Sequence, residues 1–501
     1  MSSLQLNDNS LFITKNYVDG EWLESSSGAT FPVTNPANNA VIARCPESTA
    51  EDVQHAIKAA ENALPAWKAK SGRERSRILR QWYDLVLQNE DDLAALITLE
   101  NGKAASEAHG EVLFTASFLE WFSEEAARVY GDIIPATSPG NRISVVREPI
   151  GVCGMITPWN YPAGMITRKA GAALAAGCTT VIKTDGRTPL TGYALAILAE
   201  RAGVPHGVIN IITALENTPI IGQTMCKSNT IRKISFTGST RVGKILMEQS
   251  GSSLQKLSLE LGGNAPVIIF DDSNLELAVE GVLTSKFKST GQTCVCANRI
   301  YVQDGIYDKF VARLVQRVLR FKVGSGSDNS VTHGPLIEAS AVAKSREHVD
   351  DAVSKGAKVL AGGKEFRTDA DPKGPNFFDP TILADCNASM KLAHEETFGP
   401  VAALFRFSSE DEVIRAANDT DVGLASYVFT SDISRVHRVS DALHVGMVAI
   451  NTGVMSDAPA PFGGVKHSGL GREGSKYGVE EYTELKTIMM GNVYGAGRAN
   501  I

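Results

Sequence analysis

Between Val152 and Glu260, short apolar runs alternate with longer stretches of helical character. The runs are GVCGMITP, TTVIKT, GVINIIT, IRKISFTGS and KLSLELGG. Apolar runs of this length, bounded by turn residues, read as strands buried on both faces. Between them, AGMITRKAGAALAAG reads as a helix ended by Gly177, and TPLTGYALAILAERAG as one with Pro189 near its first turn and Gly203 at its end. TPIIGQTMCKS and RVGKILMEQSG complete the set. This order predicts right-handed crossovers and a mostly parallel sheet. A second alternation starts at APVIIFDDSNLELAVE and continues through ANRIYVQD, YDKFVARLVQRVL, SAVAKSREHVDDAVSKG and AKVLAGG, which predicts a second α/β unit. Ser273 and Glu276 have capping-box spacing for a helix running to about Lys288. Upstream, YVDGEWLES reads as a hairpin turning at Asp19-Gly20. Residues 50–88 and 104–130 are helical in pattern, IPATSPGNR breaks it, and ISVVREPIGVCGMITP and YTELKTIMMGNVYG read as strands.

Composition narrows the class. The 501 residues are 43% hydrophobic and 21% charged, ordinary for a globular chain long enough for several domains. A net charge of −7 gives no electrostatic basis for binding nucleic acid or an anionic membrane. No apolar run approaches the roughly 20 residues of a membrane helix. The opening MSSLQLNDNSLF has neither a basic region nor an apolar core, the first arginine is Arg44, and GAGRANI is no address or lipidation box, so the expected location is cytoplasmic. Seven scattered cysteines are no secreted disulfide framework. Cys294 and Cys296 lack a second Cys or His pair, so no metal site is expected.

Three residue types then suggest chemistry. In GSTRVGKI, Gly238, Gly243 and Lys244 have phosphate-loop spacing, but Ile245 stands where a magnesium-binding hydroxyl is needed. The strand–turn–helix context still suits a pyrophosphate at a helix N-terminus. Cys294 in GQTCVCANR sits at a break between helix and strand, where a thiolate could act as nucleophile. Glu260 ends a strand before two glycines, as a general base could, and Asn160 in TPWNYP could donate to an oxyanion. Singly, each also reads as an ordinary structural residue.

Taken together, TPWNYP, VIK, FTGSTRVG, LELGGNAP, GQTCVCANR, EETFGP and PFGGVKHSGLGREG resemble the aldehyde dehydrogenase superfamily, in its order, from about residue 15 to 495. The resemblance implies an α/β aldehyde dehydrogenase-like fold: a Rossmann-type cofactor domain of residues 1–127 and 150–261, a catalytic α/β domain of 262–478, and a small β oligomerisation arm of 128–149 and 479–495. It implies that Cys294 attacks the aldehyde carbon to give a thiohemiacetal, with its oxyanion held by Asn160 and the Cys294 N–H. Loss of hydride to the cofactor leaves a thioester, and Glu260 activates the water that releases the acid. Lys183 would bond the adenosine ribose, Ser239 beside Gly238 the pyrophosphate, and Glu396 the nicotinamide ribose, with Phe398 packed near the nicotinamide; Trp159 and Gly186 complete the cofactor set. The implied cofactor is NAD or NADP, the implied substrate a small aldehyde, and the implied assembly a homo-oligomer, dimer or tetramer.

Within the family, GMITRKAGAALAAGCT, GQTCVCAN and GREGSKYGVEEYTELK resemble the succinate-semialdehyde dehydrogenase branch, as in 4-aminobutanoate degradation. That branch implies Arg168 and Ser456 as contacts to the substrate's distal carboxylate. Its third contact, an arginine, is here Lys288, which keeps the charge and loses the planar fork, so a different aldehyde is the alternative. Where the family commonly has Glu or Ser, Gly186 would neither bond the ribose hydroxyls nor repel a 2′-phosphate, and Lys183 and Arg187 offer positive charge, so NADP acceptance is expected. Cys296, also present in the branch, would be a redox partner of Cys294. A non-catalytic dinucleotide-binding protein is the alternative of another class; such a chain would usually lack Cys294, Glu260 or Asn160.

Overall fold

The computed structural model describes residues 6–364, 376–491 and 493. Residues 492, 494 and 495, at the end of the expected arm, and the GAGRANI terminus lie outside the described residues. The five apolar runs form adjacent parallel strands in the spatial order Ile209–Ala214, Thr179–Asp185, Val152–Ile156, Ile231–Thr237 and Lys256–Glu260. Their burial is nearly continuous, as in a sheet covered on both faces. The hairpin Asn16–Val18 and Glu21–Leu23 joins one edge antiparallel through Tyr17 and Ile211. Gly469–Leu470 joins the other edge against Leu259 and Glu260. Chain order reverses at Val152–Ile156, so the loop after that strand opens on the crevice where open α/β sheets bind ligands.

A second sheet runs Lys358–Ala361, Thr381–Ala384, Val401–Phe407, Ala297–Gln303, Ala265–Ile269, Ala425–Phe429 and Met447–Ile450, parallel except at the first pairing. A three-stranded antiparallel sheet of Thr483–Met490, Arg142–Pro149 and Asp132–Pro135 stands apart from both.

Local expectations fail in instructive places. Asn274, not Ser273, caps the helix Leu275–Phe287, accepting from Leu277 N at 3.1 Å. The Ser273 hydroxyl instead donates to the carbonyls of Phe270 and Phe429, tying two strand ends, and Glu276 pairs with Arg313 at 2.8 Å. The helical stretch 50–88 is two helices, the second capped reciprocally by Ser71 and Glu74. The second stretch, 104–130, is a helix only over Ala105–Glu125, and Glu90–Asn101 forms a further helix that the pattern did not reveal.

Two buried helices borrow their caps. Gly164–Ala176 is buried at every position and has no side-chain cap of its own. Glu111 supplies one, accepting from the N–H groups of Ala163 (3.0 Å) and Gly164 (3.5 Å), while Lys103 neutralises it. Glu100 does the same for Leu190 (2.7 Å) and Thr191 (2.9 Å). Buried N-terminal amides need such partners because no water reaches them. Among the described residues no helix is long and apolar enough to cross a membrane, and no group of three His, Cys, Asp or Glu side chains could hold a metal ion.

Candidate active site

The helix Leu275–Phe287 stops at a turn that the backbone would not adopt freely. Ser289, Thr290 and Gly291 all have φ between 51° and 77°. At Gly291 a side chain would also meet the Gly399 carbonyl at 2.3 Å, so glycine is required. Contacts from three directions hold this strain. Glu107 accepts from Ser289 N at 2.6 Å. Gln292 donates to Ser289 O and accepts from Ile337 N at 2.9 Å. The Tyr427 hydroxyl donates to Val295 O at 2.8 Å. The turn presents Cys294 to a cavity of about 130 Å³ lined by Tyr161, Arg168, Lys288, Tyr427, Ser456 and Phe462 among others. That is room for a small molecule beside the thiol.

Burial pushes the Cys294 thiol up to about 12; Glu396 and Glu260 push the same way, and Arg168 opposes them. Asn160 is buried, and its side-chain amide donates to Gln292 O at 2.9 Å, which leaves its second N–H for another acceptor. Glu260 ends its strand with both carboxylate oxygens buried and unpartnered. Burial and then the nearby Glu473 raise it well above the carboxylate range, against Arg168, Lys169 and Arg472. A buried carboxyl with no hydrogen-bond partner and a raised pKa is suited to taking a proton.

Arg168 and Ser456 converge on the cavity from opposite ends of the sequence. The Arg168 Nη2 and the Ser456 Oγ are both buried without a partner, although each lines a polar-ended cavity. Lys288 is exposed at the same cavity.

The dinucleotide candidates gather at the carboxyl end of the first sheet. Lys183 is 4% exposed and, among the described residues, its amine makes no hydrogen bond; burial lowers its pKa, against Asp185. Ser239 caps the helix Thr240–Ser250, accepting from Val242 N at 3.4 Å, and Gly238 precedes it. Gly186 packs closely enough that a side chain would lie 2.9 Å from the Ala214 carbonyl. Trp159 and Phe398 meet edge to face at 5.7 Å. Glu396 accepts from Gly263 N at 3.4 Å and is raised by burial to about 7.

One expectation changes. Arg187 is not a free cation: it forms a two-bond pair with Asp185 (2.9 and 3.1 Å) and lies 3.4 Å from Glu338. Cys296 is buried, and its thiol donates to Lys286 O at 3.3 Å; Cys294 lines the cavity and Cys296 does not. The sequence reading also passed over Glu107, Lys169 and Glu473. Lys169 lies in ITRK and Glu473 in GREG, and no local periodicity marks either.

A fold with a ligand crevice on one sheet and a cavity thiol just before the central strand of another defines a class, and the sequence model of the aldehyde dehydrogenase family matches residues 22–488. The chain belongs to that family. It is 54% identical over 488 residues to the NADP(+) succinate-semialdehyde dehydrogenase GabD of Escherichia coli (strain K12), covering 97% of this chain and 100% of that one. It is also 54% identical over 485 residues to a glutarate-semialdehyde dehydrogenase of Pseudomonas putida, covering 97% and 99%. A crystal structure of an E. coli NADP-dependent enzyme superposes with a TM-score of 0.95 at 53% identity, covering 97% and 100%.

Proposed function

We propose that this protein oxidises a small aldehyde bearing a distal carboxylate to the corresponding diacid, with succinate semialdehyde foremost, using NAD or NADP. The observation that carries this reading is the cavity itself: a thiol on one wall, and an unpartnered guanidinium nitrogen and hydroxyl on the others. A carboxylate satisfies both orphaned groups at once.

In this reading Cys294 loses its thiol proton to solvent water and its sulfur attacks the carbonyl carbon. The second Asn160 N–H and the Cys294 N–H receive the oxyanion. The bound dinucleotide supplies the two-electron oxidant that makes the thioester possible. Glu260 then takes a proton from water, and the water oxygen displaces Cys294 to release the acid. Lys183, the Gly238–Ser239 turn and Glu396 offer the dinucleotide a cation, free amides and a carboxylate, and Trp159 and Phe398 give it a flat apolar wall. The converging groups favour catalysis over a binding role alone. A steady-state panel of succinate semialdehyde, glutarate semialdehyde and butanal, run with each dinucleotide, tests the reading. Preference for the two acids with activity on NADP is expected; equal rates with butanal, or strict NAD dependence, would count against the corresponding half. Dinucleotide titration followed by protein fluorescence reads affinity without turnover.

The glutarate-semialdehyde relative and the exposed Lys288 favour a second reading, one carbon longer, because a flexible ammonium tolerates more than one carboxylate position. Lys288→Arg is expected to lower KM for succinate semialdehyde by roughly 10-fold, the worth of one better charged hydrogen bond.

The three-stranded sheet leaves Ile133, Leu485 and Met489 more than half exposed, which supports its role as an arm of a homo-oligomer, dimer or tetramer, and the division of the chain into cofactor domain, catalytic domain and arm. The reading places the enzyme in the cytoplasm. Cys296 is the candidate redox partner of Cys294: two thiols would lose two electrons and two protons to peroxide as the S–S bond forms, once the Thr293–Cys296 turn opens. Peroxide inactivation reversed by dithiothreitol is expected, and Cys296→Ala is expected to lose that reversibility; equal recovery in the variant would exclude this partner.

A further inference from the structure

Next to Arg168 lie two buried charged residues that the proposed reaction does not use, Lys169 and Glu473. Glu473 divides its carboxylate between them. Oε2 accepts from Arg168 Nε at 2.5 Å, and Oε1 is paired with Lys169 Nζ. Lys169 is held further by Thr237 Oγ1 at 2.7 Å and Ser235 Oγ at 3.3 Å. The Phe462 ring covers the Arg168 guanidinium at 4.3 Å. Phe462 and Glu473 are themselves joined by backbone hydrogen bonds in both directions, at 2.7 and 2.8 Å. One short antiparallel bridge thus grips a single arginine on its Nε edge and on its face. Of the atoms in this grip, Nη2 stays buried and unpartnered, on the residue that lines the cavity.

We infer that Glu473 is a positioning residue that sets the preference for aldehydes with a distal anion, by clamping Arg168 with its free edge toward the cavity and tethering Lys169 away from it. The inference rests on the reading of Arg168 as the anion contact. Arginine has five donors on a long, flexible stem, so an unheld guanidinium would lose much of its recognition energy to disorder. The clamp removes that freedom before substrate arrives. It also sets the charge of the triad: Arg168 and Lys169 against Glu473 leave one positive charge, with Glu260 and Arg472 close by.

The charge and the orientation make opposite predictions for Glu473→Gln, which separates them. Removing the negative charge leaves two cations, so a purely electrostatic role predicts tighter binding of an anionic substrate. A positioning role predicts weaker binding. The expected result is a fall in the ratio of kcat/KM for succinate semialdehyde to that for butanal, on the order of 10- to 100-fold, carried mainly by KM. Succinate, titrated as an inhibitor competitive with the aldehyde, is expected to weaken in parallel. Thermal melting reports whether the variant is folded; if it is not, Phe462→Leu, which removes the covering ring and leaves every charge in place, is expected to lower the same ratio in the same direction. An unchanged or increased ratio in a folded variant overturns the clamp. Arg168→Met separates the two levels of the argument: if it loses the preference while Glu473→Gln keeps it, only the clamp is wrong. If Arg168→Met keeps the preference, the anion-contact reading itself fails.

Discussion

Cys294→Ala is expected to abolish aldehyde oxidation, lowering kcat by on the order of 10⁴-fold or more, because Cys294 is the one thiol among the described residues that line the cavity, and the reaction runs through a thioester. Cys296 cannot substitute, since its thiol faces the Lys286 carbonyl. Dinucleotide binding is expected to persist, because the cofactor candidates belong to other elements. The same thiol sets the pH dependence. Burial raises it to about 12, so it is protonated at neutral pH. An acid with a raised pKa gains its reactive, ionised form as pH rises. Glu260, also raised, becomes a competent base in the same direction, which bears on kcat through the later, acid-releasing step. The rate constant kcat/KM is therefore expected to climb steadily from about pH 6 to about pH 9. A flat profile over that range would mean that the thiol proton does not limit the reaction.

Glu260→Gln is expected to uncouple the two halves of turnover. The thiol still attacks and the first oxidation still occurs, so a rapid burst of about one reduced dinucleotide per active site should remain. Steady turnover should then fall by roughly 10²- to 10⁴-fold, the usual worth of a positioned base. Intact-protein mass spectrometry after quenching should show the acyl group on Cys294. Loss of the burst together with the steady rate would place Glu260 in the first half-reaction instead. The geometry favours the later step: both carboxyl oxygens are unpartnered and buried, so a water at this position would find a base with no competing bond.

Much of this was legible in the chain itself. The five apolar runs were long enough to be strands and too continuous to be half-exposed, and they form the parallel core of the first sheet. Gly238 and Ser239 announced a strand–turn–helix, and Ser239 caps that helix. Asn160, Glu260 and Cys294 each sat at the end of an element, where side chains reach a crevice. Local signals failed where one residue had two possible partners. The Ser273–Glu276 spacing suits a capping box, but the Ser273 hydroxyl is spent on the nearby Phe270 carbonyl and on the Phe429 carbonyl, which only the folded chain brings within reach.

What the sequence alone determined was the alternation of buried strands and helices, and the residue types waiting at their ends, because burial on a strand or helix leaves a periodic record in neighbouring positions. What only the tertiary structure decided was which charges meet. Glu111 caps a helix that begins 53 residues later, at Gly164. Arg187 spends its charge on Asp185 and Glu338. Glu473 grips an arginine 305 residues away. Such pairings leave no period in the chain. They are set by the low-dielectric interior, where a buried charge or amide must find a partner wherever the fold has put one.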